Sequence, residues 1–73
     1  MNEDIIKGKW KQIRGAAQKQ WGKLTDDHLD QINGDREKFL GKIQENYGVA
    51  RDEADKQLKD WEKRTAADID RAA

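Results

Sequence analysis

The chain has 73 residues, of which 15 are Lys or Arg and 15 are Asp or Glu, so its formal net charge is zero. That length holds one small domain, and the absence of Cys excludes disulfides and thiolate metal sites. No apolar run nears the roughly 20 residues of a membrane span, and no apolar stretch of signal-peptide kind follows Glu3 and Asp4, so a soluble cytoplasmic protein is expected.

The first predicted helix covers residues 4–21. Ile6, Trp10, Ile13, Ala17 and Trp21 recur at helical spacing and fall within an arc of about 80°. Gly8 and Gly15 lie on the opposite, solvent side, where each costs about 1 kcal/mol relative to Ala; they predict a frayed or bent helix. Gly22 follows the last core position and is expected to be a left-handed cap. Thr25 is suited to capping a second, short helix, with Asp26 and Asp27 near the positive end of its dipole. That helix runs to Asn33, buries Leu29 and Ile32, and is stopped by Gly34. Asp35 caps a third helix over 36–47, with Phe39, Leu40, Ile43 and Tyr47 on one face, and Gly48 ends it. The last helix starts near Asp52 with a stripe of Ala54, Leu58 and Trp61, continued weakly by Thr65 and Ile69. Residues 66–73 are expected to form a frayed tail beyond a domain of residues 1–65. Nothing alternates with period two, so no strand is expected.

The six glycines form two triplets, Gly8, Gly15, Gly22 and Gly34, Gly41, Gly48, each spaced by seven and related by an offset of 26. Under the same offset Ile13 meets Phe39, Ala17 meets Ile43, Trp21 meets Tyr47 and Ile32 meets Leu58. Six of the 26 aligned positions are identical, against about two expected by chance at average residue usage. An internal duplication of a helix–turn–helix unit follows. The expected fold is all-α: a small bundle of four short helices arranged as two packed α-hairpins. Its core would be the residues already placed on the apolar faces, with Leu24 from the first connection. A core this small with no covalent staple implies a folded domain of low stability. A chain that folds on drying or on a partner is the second expectation.

Charge is unevenly spread. Residues 1–24 hold six bases against two acids, and residues 25–48 hold six acids against three bases. The basic first helix is therefore expected to dock mainly on the acidic second segment of the same molecule, with an external anion as the alternative. In that alternative Lys7, Lys11, Arg14, Lys19 and Lys23 form an anion-facing surface.

Catalytic patterns fail on inspection. There is no Ser or Cys nucleophile, and the hydroxyls are those of Thr25, Tyr47 and Thr65. His28 is the one imidazole, and a place in the first turn of a helix is an exposed one rather than that of a general base. Gly22–Lys23 suggests a phosphate loop, but Leu24 stands where a Ser or Thr is needed and Ala17 where the upstream glycine is needed. A calcium loop around Gly34 would have Leu29 and Gln31 as ligands, which cannot bind the ion. No catalytic residue, metal site, cofactor or small-molecule substrate is therefore expected. A Trp-bearing, Lys-flanked helix can lie on a membrane, but the same narrow apolar stripe serves a bundle core. Nucleic-acid binding would use the helix 1 bases, yet the pI is near 6.6 and no aromatic is left to stack on bases.

Several runs carry a family resemblance: Trp10–Lys11–Gln12, Gly15, Trp21–Gly22–Lys23–Leu24–Thr25–Asp26–Asp27, and Gly41–Lys42–Ile43–Gln44–Glu45 with Tyr47–Gly48, then Ala54 and Trp61. Over about residues 6–62 the chain resembles the CsbD family of small bacterial proteins. The resemblance implies a compact bundle of short helices, an association with general stress, and no enzymatic activity or cofactor. High polarity, several glycines and no Cys further resemble the hydrophilin type of desiccation protectant. The expectation is a non-enzymatic stress-response protein, with a binding or adaptor module on an anionic surface, membrane or nucleic acid, as the alternative. No partner is named by the sequence. The chain is expected to be a monomer or a weak dimer, the latter through the Trp10/Trp21 stripe.

Overall fold

In the computed structural model, residues 3–72 are described, and of the side chains those of residues 6–65. Four helices follow in order: α1 (Glu3–Gln20), α2 (Asp26–Ile32), α3 (Arg36–Tyr47) and α4 (Arg51–Ala72). No strand occurs among the described residues, and the four-helix, all-α bundle expected from the sequence is what forms. α3 packs closely against both α2 and α4, while α1 lies across α3 and α4.

Local chemistry sets the element ends. Thr25 has extended backbone (φ −84°, ψ 170°), and its Oγ1 accepts from His28 N at 3.2 Å. The His28 Nδ1 in turn accepts from Thr25 N at 3.1 Å, which closes a capping box. Two of the amides orphaned at a helix start are thus satisfied reciprocally. Asp35 Oδ1 accepts from Glu37 N at 2.9 Å and from Lys38 N at 3.2 Å, capping α3. Gly48 (φ 64°) ends α3 and donates to Gln44 O at 2.9 Å, the left-handed arrangement that glycine adopts without strain.

The glycine expectations need three corrections. α1 runs unbroken through Gly8 and Gly15, because the helix is held by the apolar face that it buries and not by the propensity of its exposed face. Gly22 is not a left-handed cap: α1 ends at Gln20, positive φ is found only at Asn33, Gly34 and Gly48 among the described residues, and Leu24 N bonds Trp21 O at 3.0 Å to form a tight turn. α2 is closed by Asn33 (φ 45°) as its cap, with Gly34 (φ 81°) completing the turn. Gly34 is also where α1 comes nearest, since a Cβ built there would stand 2.8 Å from Lys7 Cα.

The core comprises Ile6, Trp10, Ile13, Ala17, Trp21, Leu24, Leu29, Ile32, Phe39, Leu40, Ile43, Ala54, Leu58 and Trp61. Every one was expected from the sequence. Tyr47, also expected there, is only half-buried and packs on the edge with Val49; its hydroxyl must stay near the surface to accept from Lys23 N at 3.0 Å. Phe39 stands among all three indoles, with ring centroids 5.5 Å from Trp10, 5.1 Å from Trp21 and 5.4 Å from Trp61. These tilted and edge-on aromatic pairs add about 0.5–1.5 kcal/mol each beyond the area that they bury.

The repeat is visible only in part. Ile13 and Phe39, Ala17 and Ile43, and Ile32 and Leu58 are buried in both halves. Gly8 lies inside a helix whereas Gly34 lies in a turn, and α2 has 7 residues against 22 in α4. Thr65 is buried at 7% exposure, which continues the α4 stripe as expected. Ile69 and the expected fraying of 66–73 lie outside the residues whose side chains are described.

Candidate functional site

Buried polar groups are the first place to look for chemistry. Glu62 is 4% exposed, and its Oε1 accepts from Arg36 Nε at 2.8 Å. The other face of the same guanidinium meets Asp55 Oδ1 at 2.9 Å, and Asp55 Oδ2 meets Lys59 Nζ at 3.1 Å. Burial pulls the Arg36 pKa down, but its hydrogen bonds to Asp55 and Glu62 outweigh that and raise it overall. Hydrogen bonds from Lys59 and then from Arg36 hold the Asp55 carboxyl below its ordinary value. This chain of charges clamps the start of α3 to two turns of α4. Sequence reasoning missed it. The spacing of Asp55 and Glu62 by seven residues was the available signal, but it does not name Arg36 as the partner.

Other polar atoms serve packing. Trp21 Nε1 donates to Gln57 Oε1 at 3.1 Å. Trp10 Nε1 is buried and has no hydrogen-bond partner among the described residues. His28, expected to be exposed, is half-buried, and its Nδ1 is taken up by the α2 cap. Among the described residues, no three His, Cys, Asp or Glu side chains come together as a metal site would require. Within the same residues, no helix is long and apolar enough to cross a membrane.

The five expected anion-facing residues part company. Arg14 meets Asp30 Oδ1 at 2.8 Å on the surface. It is the one α1 base found in an ion pair among the described residues. The expected docking of a basic helix on an acidic segment thus reduces to this single residue. Lys23 Nζ lies 5.1 Å above the Tyr47 ring, a cation–π distance. Lys19 is exposed and lines neither of two shallow surface grooves. Lys7 lines both. In one groove, of about 190 Å³, it faces Lys38 across Asn33, Gly34 and Asp35. In the other, of about 340 Å³, it is joined by Lys9, Lys11, Gln12 and Asn33. Lys7 and Lys11 thus share a groove lining with Lys9, and Lys7 shares the other with Lys38. The dimer expected through Trp10 and Trp21 has no apolar stripe to use, because both indoles are buried within the one chain.

A sequence model of the family described as CsbD-like matches residues 4–56. The UPF0337 protein YjbJ of Escherichia coli K12 is 52% identical over 64 residues, covering 88% of this chain and 93% of that protein. YjbJ of Salmonella typhimurium LT2 is likewise 52% identical over 64 residues, with 91% of its length covered. The UPF0337 protein pc0632 of Protochlamydia amoebophila is 50% identical over 62 residues, covering 85% of this chain and 94% of that protein.

Proposed function

The chain belongs to the CsbD-like family of small bacterial stress-response proteins, and from that membership we propose a cytoplasmic protein without catalytic activity that protects other proteins when water is lost. The observation that carries this reading is the sorting of side chains. Among the side chains of residues 6–65, every large aliphatic one except Val49 lies in the core, and so does every aromatic ring except that of Tyr47. What faces water is dominated by charge, in a chain that is 41% Asp, Glu, Lys and Arg and has a mean hydropathy of −1.25. That charge keeps the surface hydrated and leaves no broad apolar patch for a neighbour. A protein of this kind acts as a soluble spacer between unfolding clients and needs no reactive group.

The test is a drying assay. A drying-sensitive enzyme is dried and rehydrated with this protein, or with an equal mass of an inert globular protein of similar size. The expected result is higher recovered activity with this protein. Equal recovery in the two arms removes the protectant reading.

A further inference from the structure

We propose that the N-terminal half of α1, together with Lys38 of α3, is a docking face for the phosphate backbone of a nucleic-acid duplex. This goes beyond protection, since it assigns a partner chemistry to one patch. Zero net charge hides a strong asymmetry. Residues 5–25 contain six bases and no acid, while the rest of the chain sets fifteen acids against nine bases. Within that basic stretch the structure removes Arg14 and Lys23, which are held by Asp30 and by the Tyr47 ring. Of the four that remain, Lys19 lies outside both grooves; Lys7, Lys9 and Lys11, joined by Lys38 of α3, are exposed and line the two grooves that meet at Lys7 and Asn33. None of these groove-lining lysines is in an ion pair among the described residues.

The other polar groups of the patch suit an anion. Gln12 and Asn33 can donate, and the one carboxylate lining the grooves among the described side chains, Asp35, already accepts two amides of its own helix through Oδ1. Lys7 and Lys11 are separated by about 6 Å along the helix, far enough to meet different phosphates of a duplex, which carries a charge about every 3.4 Å of axis on each strand. Glycine adds to the fit, because a Cβ at Gly8 would meet nothing within 4 Å, so the ridge between the lysines is low.

The buried aromatics decide which polyanion is favoured. A helix lying on a membrane inserts aromatic and aliphatic side chains, and single strands are held by bases stacked on exposed rings. Trp10, Trp21, Trp61 and Phe39 are all in the core, so neither mode is open to the folded chain. Contact through phosphates alone, without base readout, is what remains, and it makes binding weak, sequence-independent and salt-sensitive.

The experiment measures retention of a short mixed-sequence DNA duplex across a salt series, using the wild-type protein and two variants. Lys7→Gln/Lys11→Gln alters the patch. Lys56→Gln/Lys63→Gln alters two exposed residues of α4 and changes the net charge by the same amount. Parallel arms use the corresponding single strand and vesicles of phosphatidylcholine with phosphatidylserine. Thermal melts establish that both variants stay folded. The expected result is duplex binding whose logarithm falls with log salt at a slope of about −3. The patch variant is expected to bind about tenfold more weakly at low salt and to lose about two units of slope, while the α4 variant binds like wild type. No binding at the lowest salt, an equal loss in both variants, or tighter binding to the single strand or the vesicles would each overturn the proposal.

Discussion

Replacing glycine by alanine is expected to move stability in opposite directions at different members of the seven-residue triplets. Gly15 and Gly41 are helical, and a Cβ at either meets nothing within 4 Å. Alanine there gains helix propensity of about 0.8–1 kcal/mol per site. The double substitution Gly15→Ala/Gly41→Ala should raise Tm by roughly 6–15 °C in a domain of this size. Gly34→Ala is a different perturbation. Its φ of 81° costs an L residue about 1–2 kcal/mol, and its Cβ would stand 2.8 Å from the backbone of Lys7. A backbone atom cannot rotate aside as a side chain can, so α1 must shift, at a further cost of about 1–3 kcal/mol. The sum, roughly 2–5 kcal/mol, is a large share of the stability of a domain this small. Heat and urea unfolding followed by tryptophan fluorescence would read all of these, because Trp10, Trp21 and Trp61 all report on the core. If Gly34→Ala unfolded within about 0.5 kcal/mol of wild type, the close approach of α1 to the α2–α3 turn would be refuted; a destabilised double variant would instead refute the open space at Gly15 and Gly41.

Three further outcomes are expected. Arg36→Ala leaves the buried Glu62 carboxylate without its partner and should cost about 2–4 kcal/mol, measured by urea unfolding, whereas a cost near that of a surface pair, below about 1 kcal/mol, would refute the clamp. The clamp also has an acid limb: the Asp55 pKa is lowered in the folded state, so its contribution is present above the unfolded-state value near 3.8 and is lost as pH falls through the lower folded value, and Asp55→Asn should flatten that part of the stability–pH curve. At the start of α2, Thr25→Ala and His28→Ala should each cost about 0.5–2 kcal/mol. Their combined cost should fall short of the sum, since each removes half of one capping box.

Element positions were legible in the sequence because they rest on local rules. The Ile6–Trp10–Ile13–Ala17–Trp21 spacing marks the buried face of α1 however the other helices lie. Thr25 and Asp35 satisfy helix amides within three residues of themselves. The candidate site was legible only by composition. Charge counts identified α1 as basic, but they could not say that Arg14 is engaged and Lys7 is not. His28 was read as an exposed first-turn residue, since a capping box with His in the reciprocal place is chemically possible but is not the usual Glu or Gln pattern.

The amino-acid order by itself thus determined four helices, the N-caps of α2 and α3 and the residues of one core, since apolar period and side-chain-to-backbone bonding act within a few residues. Only the tertiary structure decided which glycine is pressed against another helix, which carboxylates close on Arg36, and which lysines gather beside Asn33. Those outcomes depend on how α1 and α4 lie against α3. A change in that crossing would move side chains that are distant in the chain past one another while leaving every helix and cap intact.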